Sequence, residues 1–287
     1  SKRPCSAAGV FTTNDVKAAP VLHGMDLLEA RRDGYHAIVA NSGNANACTG
    51  KKGETDARLM ASETARHLGL RPEQVFVCST GRIGEPLPMS RITAGIRDAA
   101  ADLKDEVDGG PAFQQAILTS DTTTKSCLAT FESPEGTVRV AGVAKGAGMI
   151  EPNMATMLAF LATDADVPSP ILRQALADAN AKTFNRITID GDMSTNDTVL
   201  FLANGFSGAT ISEETPKLLA DFRAAVEKVC ACLARKIVSD GEKVTKLVEL
   251  VVEAAPNAES AERVARAIAN SLLVKTSWYG SDPNWGR

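Results

Sequence analysis

A glycine- and proline-rich turn between two apolar runs constrains this chain more than any other feature. The turn covers residues 145–156, KGAGMIEPNMAT, after the strand-like run 137–144 and before an apolar run that begins at Met157. Glycine and proline in such a place force a tight backbone course. The turn therefore sets Thr156 at the entrance to an apolar segment, directly after the small residue Ala155.

Thr156 becomes chemically unusual if the Ala155–Thr156 peptide bond is cut. The threonine then carries a free α-amine beside its own hydroxyl. An amine with an ordinary pKa of about 7.7–8 can take the hydroxyl proton near neutral pH, so one residue would supply both nucleophile and base. The simpler interpretation is a glycine-containing loop with an ordinary structural threonine, and Thr156 alone does not decide between the two.

The composition is that of a globular protein without a nucleic-acid or membrane partner. The 287 residues are 44% hydrophobic and 23% charged, with a formal net charge of −4. A chain of this length buries a sizeable core, as one large domain or two modest ones. The acidic balance offers no basic surface for nucleic acid. No apolar run approaches the ~20 residues of a membrane span, and we expect no signal peptide.

Metal and cysteine chemistry find little support in the sequence. The six cysteines form no CxxC pair, and only three histidines accompany them, so we interpret the cysteines as reduced residues of a cytosolic protein. A cysteine–histidine nucleophile stays open, without a motif to support it. The loop 190–197, DGDMSTND, resembles a calcium or magnesium loop but lacks the glutamate that completes an EF-hand. We interpret it as structural or facing the active site, and we predict no metal.

Strand and helix patterns alternate along the chain, which indicates a mixed α/β or α+β fold. Helical periodicity predicts helices over residues 55–68, 89–103, 168–183, 214–237 and 258–270. Short apolar runs predict strands over residues 36–40, 74–78, 127–132, 137–144, 198–203, 247–254 and 272–276.

Several motifs, in this order, resemble one known family. They are residues 6–13 (SAAGVFTT), 41–47 (NSGNANA), 79–84 (STGRIG), 118–122 (LTSDT) with Lys125, 145–158 (KGAGMIEPNMATML), 240–242 (DGE) with Thr245 and Lys246, and 282–287 (DPNWGR). The segment 145–158 resembles the self-cleavage segment of the ornithine acetyltransferase family, also called bifunctional glutamate N-acetyltransferase. The resemblance covers essentially the whole chain.

This resemblance implies an acyltransferase of arginine biosynthesis. It implies that cleavage between Ala155 and Thr156 precedes transfer of the acetyl group of N-acetyl-L-ornithine to L-glutamate, by a ping-pong route through an acetyl-threonine intermediate. Some members of the family also accept acetyl-CoA as a co-substrate, although no nucleotide-binding motif is legible here, and no other cofactor is implied. The implied location is the bacterial cytoplasm, or the mitochondrial matrix of a eukaryote.

The resemblance also implies an architecture. The family fold is an αββα sandwich, similar in logic to N-terminal-nucleophile hydrolases. Cleavage would divide the chain into an α-chain portion, 1–155, and a β-chain portion, 156–287, with the C-terminal part of the family domain missing. Family members assemble as dimers or larger sets of αβ heterodimers.

The oxyanion hole of the family corresponds to Thr80 and Gly81. A strand that ends in Ser-Thr-Gly offers a hydroxyl and an open backbone N–H to a developing negative charge. The resemblance assigns substrate contacts to Thr119, Lys145 and Glu242, besides Thr156 itself. An ammonium and a carboxylate suit the two charges of an amino acid.

The sequence departs from the family pattern directly after Glu242. Lys243 and Val244 stand where the family commonly has glycine and alanine. From this we expect a shifted backbone and an altered acceptor preference. Two other interpretations stay open: a related N-acyl amino-acid transferase or hydrolase with a different acceptor, and a non-catalytic relative that never cleaves itself.

Overall fold

The structure is a computed structural model that describes residues 1–30, 33–103, 109–151 and 157–286. The predicted cleavage position, Ala155–Thr156, lies outside the described residues. The strands of the described part are β1 Cys5–Phe11, β2 Asp33–Tyr35, β3 Ala37–Asn44, β4 Val75–Arg82, β5 Lys125–Ser133, β6 Gly136–Lys145, β7 Leu158–Thr163 and β8 Thr198–Ala203. The α-helices are α1 Ala19–Ala30, α2 Gly50–Leu68, α3 Met89–Ala101, α4 Gly109–Ala116, α5 Ser169–Lys182, α6 Pro216–Val238, α7 Ala258–Ala269 and α8 Leu272–Tyr279.

Six strands form one mixed sheet in the order β2-β1-β8-β7-β6-β5. β7 and β8 run parallel, and Leu158 pairs with Thr198 where both strands begin. β6 runs antiparallel to β7, so its last residue, Lys145, also pairs with Leu158. The last residue of β6 and the first residues of β7 and β8 therefore lie side by side at one end of these three strands.

A second, two-stranded sheet pairs β3 with β4 in parallel. Successive side chains of β4 point to opposite faces, as the pleat of a strand requires. Phe76 and Cys78 enter the core shared with the large sheet, whereas Val75 and Val77 enter the core shared with α2 and α3. The small sheet is therefore an inner layer, covered on both sides.

Helices close the two outer faces. α5 and α6 cover the large sheet through a core that includes Val140, Leu161 and Phe201 on the strands and Leu172, Leu176, Phe222 and Val226 on the helices. The packing is close enough that a Cβ added to Gly142 would lie 2.8 Å from both Val229 and Leu233 of α6. The layers are α5/α6, large sheet, small sheet with α1, and α2/α3. The αββα sandwich expected from the sequence is confirmed.

Two strand predictions were wrong. Residues 247–254 form no strand, and most of them are exposed. Their apolar, β-branched sequence suits a strand, but a strand also needs a partner to bind its backbone groups, and none pairs with them in the described part of the chain. Residues 272–276 belong to α8, whose N-cap Ser271 accepts a hydrogen bond from Val274 N.

Across the described ranges, no helix combines the length and apolarity that a bilayer span needs.

Candidate active site

The candidate site begins at the end of the large sheet where β7 starts. Met157, which is bonded covalently to Thr156, is 1% exposed. Its backbone N–H donates to Asp197 Oδ1 at 2.9 Å, and its carbonyl accepts from Thr198 N at 3.1 Å. These two bonds fix the chain immediately after Thr156, although Thr156 itself lies outside the described residues.

Thr80 and Gly81 lie at the carboxyl end of β4. Thr80 is 3% exposed. Gly81 has φ 131° and pairs with Gly43 of β3, so close that an added Cβ would lie 2.2 Å from the Gly43 carbonyl carbon. No side chain fits there, because the backbones of β3 and β4 approach each other closely at this point.

Asn196 and Asp197 link the two segments. Asn196 Nδ2 donates to the carbonyl of Ser79 at 2.8 Å and to that of Ala45 at 2.6 Å, while Asp197 accepts from Met157 N. One pair of adjacent residues thus ties the strand end that carries Thr80 to the segment that follows Thr156. Both residues belong to the loop 190–197, which the sequence predicts to be structural or to face the active site, without a role for either residue. The available signal was a polar Asn-Asp directly before an apolar strand, where buried polar side chains need a specific reason.

Lys145 is buried at the end of β6, with an exposure of 2%. Its Nζ donates to Thr119 Oγ1 at 2.7 Å and lies 3.6 Å from Asp121 Oδ2. Asp121 also accepts the N–H of Gly146 at 2.6 Å. Burial lowers the pKa of Lys145, and the neighbouring carboxylate of Asp121 opposes that effect. Two of the predicted substrate residues, Lys145 and Thr119, are therefore in direct contact.

A second buried cation completes this network. Lys125 Nζ lies 2.7 Å from Asp121 Oδ1 and 2.5 Å from Asp240 Oδ2. Asp240 also accepts hydrogen bonds from Thr122 and from the backbone of Thr123. Burial would raise the pKa of Asp240, but the hydrogen bonds from Lys125 and Thr122 outweigh it and bring the value to about 2. The positive charges of two lysines are therefore balanced by the negative charges of two aspartates, in a region that excludes water.

Glu242 reaches the turn after Lys145 from the other side. Its backbone N–H donates to Ala147 O at 3.0 Å, and its carboxylate lies beside Gly148, where an added Cβ would be 2.9 Å from Oε1. The Glu242 residue is exposed. The fold thus brings Glu242 to the glycine turn that Lys145 precedes, although 96 residues lie between Lys145 and Glu242.

Lys243 adopts the left-handed backbone conformation, with φ 56°. Glycine adopts this conformation without strain, whereas a residue with a side chain pays roughly 1–2 kcal/mol. Lys243 therefore adopts, with some strain, a backbone conformation that glycine would adopt without it.

The aspartate-rich loop 190–197 binds backbone amides. Asp190 accepts from Met149 N at 2.6 Å and from Ile150 N at 2.9 Å, and so holds the end of the glycine turn. Across the ranges that the structure describes, no group of three or more His, Cys, Asp or Glu side chains could hold a metal ion. The loop has both a structural role and, through Asp197, a place at the site.

The family follows from sequence comparison. The model of the ArgJ family matches residues 1–287. The arginine biosynthesis bifunctional protein ArgJ of Symbiobacterium thermophilum is 50% identical over 293 residues, which cover 100% of this chain and 70% of that protein. The protein of the same name from Thermotoga neapolitana is 50% identical over 291 residues, covering 100% of this chain and 72% of the relative.

Two solved structures also have similar sequences. The ArgJ protein of Bacillus halodurans is 43% identical over 53% of this chain and 78% of its own, with a TM-score of 0.48. An ornithine acetyltransferase of Mycobacterium tuberculosis, in complex with ornithine, is 38% identical over 52% of this chain and 77% of its own, with a TM-score of 0.47. The family assignment rests on the sequence matches over the whole chain. They define an acyltransferase of arginine biosynthesis. The chain belongs to the ArgJ family.

Proposed function

We propose that this enzyme transfers the acetyl group of N-acetyl-L-ornithine to L-glutamate through an acetyl ester on Thr156. The proposal rests on the arrangement at one end of the large sheet, where the end of β6 lies beside the starts of β7 and β8. The buried Lys145 lies beside β7, the strand that Thr156 precedes. Asn196, which precedes β8, donates a hydrogen bond to the carbonyl of Ser79 and so connects the Thr80 turn to the same end of the sheet.

Self-cleavage would prepare the nucleophile. The Thr156 hydroxyl attacks the Ala155 carbonyl, the C–N bond breaks, and the hydroxyl proton ends on the Thr156 nitrogen. Water then hydrolyses the ester between the two residues, which leaves a carboxylate on Ala155 and a free amine and hydroxyl on Thr156.

Transfer would repeat the same chemistry on a substrate. The Thr156 hydroxyl attacks the acetyl carbonyl of N-acetyl-L-ornithine, its proton passes through the α-amine to the leaving ornithine nitrogen, and L-glutamate then takes the acetyl group by the reverse steps. Thr80 and the N–H of Gly81 are suited to hold the oxyanion. The ammonium of Lys145 and the carboxylate of Glu242 are suited to the carboxylate and ammonium of the amino acid.

The finer features of the reaction are part of the same proposal. We include acetyl-CoA as a second donor, because the relatives carry the name bifunctional. We place the reaction in the cytoplasm, which suits six free cysteines. We expect the two portions of the chain to remain together as an αβ unit, because β7 and β8 of the second portion lie between β1 and β6 of the first in one sheet.

Denaturing electrophoresis and an acetyl-transfer assay test the proposal together. Wild-type protein should give two fragments, the second with the N-terminal sequence Thr-Met-Leu-Ala, and should acetylate L-glutamate with N-acetyl-L-ornithine and acetyl-CoA compared as donors. Thr156→Ala should remain one chain without activity, because the nucleophile for both steps is gone. Thr156→Ser keeps the hydroxyl and should retain part of both. An intact single chain with full activity would contradict the proposal.

A further inference from the structure

Within the described ranges, the buried carboxylate of Asp197 has one oxygen, Oδ2, without a hydrogen-bond donor. Asp197 is fully buried, at 0% exposure. Oδ1 accepts the N–H of Met157, whereas Oδ2 accepts no hydrogen bond from the part of the chain that the structure describes. A buried carboxylate oxygen without a donor is costly, because desolvation of a charged group is compensated only by hydrogen bonds or an opposite charge. Such an oxygen calls for a functional explanation.

The position of Asp197 relative to Thr156 follows from covalent geometry. Three bonds connect the Thr156 nitrogen to the Met157 nitrogen, so the two atoms lie within about 4 Å of each other. The Met157 nitrogen is 2.9 Å from Asp197 Oδ1. The Asp197 carboxylate therefore lies in the immediate neighbourhood of the atom that cleavage converts into an α-amine.

We propose that Asp197 is a positioning residue for the α-amine of Thr156, and that its free Oδ2 accepts a hydrogen bond from that amine. The inference rests on the proposed function, since the amine exists only after cleavage. When the Ala155–Thr156 bond breaks, the hydroxyl proton of Thr156 passes to its nitrogen, and Oδ2 binds one of the resulting N–H groups. The carboxylate then orients the base toward the hydroxyl and stabilises its protonated form.

The surrounding charges are consistent with this role. The charged group that acts on Asp197 from a neighbouring strand is Lys145 of β6. From β7 it meets the Met157 amide, and its own carbonyl accepts from Thr12 N beyond the end of β1, neither of which titrates. Burial raises the pKa of Asp197 well above its usual range, and the N–H of Met157, the ammonium of Lys145 and the hydroxyl of Ser194 oppose this only in part. A carboxyl group in that condition gains most when a new ammonium forms beside it.

The test replaces the carboxylate with an amide of the same shape. Asp197→Asn keeps an oxygen for the Met157 N–H, so the fold is retained, but it removes the negative charge. Asp164→Asn is the matched control. Asp164 follows the opposite end of β7, and its Oδ1 likewise accepts a backbone N–H, from Arg139 at 2.8 Å. Rates are expressed per cleaved molecule, with the cleaved fraction taken from fragment masses.

Asp197→Asn should lower kcat by about 10- to 100-fold, within or near the range for a positioned proton-transfer group. Without the neighbouring anion the amine becomes a weaker base, so the acidic limb of kcat/KM should move to lower pH by about 1 pH unit or more. Asp164→Asn should leave the limb unchanged.

An Asp197→Asn enzyme with wild-type kcat and an unmoved acidic limb would overturn the inference while leaving the proposed function intact. A wild-type chain that is never cut and never active would overturn both. If the amide variant misfolds or remains uncut, Asp197→Ser, which is smaller and also uncharged, is read by the same two measurements.

Discussion

Lys145 shows how a buried cation is made compatible with a folded core. Its ammonium lies 3.6 Å from Asp121 and donates to Thr119, and Asp121 is in turn held by Lys125 and by the amide of Gly146. Every charge in this group has an opposite charge in contact. Asp121 therefore holds Lys145 in place, which is a role that the sequence motif Thr-Ser-Asp-Thr did not reveal by itself.

We predict the effect on catalysis of removing the Lys145 ammonium. Lys145→Met should leave the fold intact, because Asp121 keeps Lys125 and two backbone N–H donors. If Lys145 binds the substrate carboxylate, kcat/KM should fall by about 30-fold or more, which corresponds to ~2 kcal/mol. Steady-state kinetics with N-acetyl-L-ornithine and with L-glutamate measure the change. Lys182→Met, which removes an exposed lysine 2.8 Å from Glu227, is the control and should change nothing. Equal kcat/KM in the Lys145 variant and wild type would refute the assignment.

Among the elements, the parallel pair β3–β4 sets the shape of the candidate oxyanion turn. Gly43 and Gly81 face each other across the pair, and no Cβ fits between them at Gly81. Gly84, two residues after β4, also has a positive φ, at 83°, but has open space around it. The two glycines therefore separate the cost of backbone strain from the cost of a steric clash.

We predict that Gly81→Ala is much more harmful than Gly84→Ala. Gly84→Ala should cost only the strain of a left-handed backbone, roughly 1–2 kcal/mol. Gly81→Ala should cost about 1–3 kcal/mol more, because the methyl group forces the two strands apart. Urea unfolding measures both values, and kcat should fall only in the Gly81 variant, since we propose that its turn supplies the N–H for the oxyanion. Equal losses in stability would mean that the close approach of β3 and β4 is unimportant.

The elements also show which parts of the fold the sequence could predict. The helices with a clear apolar stripe were found, because α6 buries Phe222, Val226 and Val229 at helical spacing. Strands β4 and β8 were found because they are short apolar runs in the core, and β6 because buried and exposed residues alternate along it. Residues 247–254 have the same composition but no partner strand, and a single sequence does not show which runs will pair.

The candidate site was predicted only where a motif marked it. Lys145, Thr119 and Glu242 came from motifs in family order, and the fold brings all three to one glycine turn or to its contacts. Asn196 and Asp197 were missed as site residues, because a polar pair before a strand carries no sign of which distant carbonyl or amide it will bind. Their roles depend on the parallel register of β7 and β8, which is a property of the assembled sheet.

The buried charges make the stability of the folded protein depend on pH. The pKa of Asp240 is about 2 in the folded protein, against an ordinary value of 3.8, so the folded state binds fewer protons between these values. The contribution of Asp240 is therefore fully present above about pH 4 and is lost as pH falls toward 2. Asp121, whose pKa is also lowered when the lysines outweigh burial, acts in the same sense. Asp197 has a raised pKa, so its carboxyl group favours the folded state at low pH and loses that contribution as pH rises.

We predict opposite pH signatures for two aspartate-to-asparagine variants. Asp240→Asn should be less stable than wild type by about 2 kcal/mol above pH 5, and the difference should shrink as pH falls toward 2. Asp197→Asn should gain stability relative to wild type as pH rises, because it removes a buried carboxyl group that resists ionisation. Urea unfolding of the three proteins between pH 2.5 and 7 measures these differences. Parallel curves for all three would contradict the assignment of these pKa shifts.

In the large sheet, strands that follow the proposed cleavage position lie between strands that precede it, and this affects how a cut enzyme would be lost to unfolding. β7 and β8 follow the proposed cleavage position, yet they lie between β1 and β6, which precede it. The two fragments of a cut molecule would be held together by backbone hydrogen bonds on both sides of that strand pair. Once separated by denaturation, they would have to find each other by diffusion, whereas the uncut chain folds as one molecule. The cut enzyme would thus be assembled once, and its working lifetime would be set by the rate of its first unfolding rather than by an equilibrium with the unfolded chain.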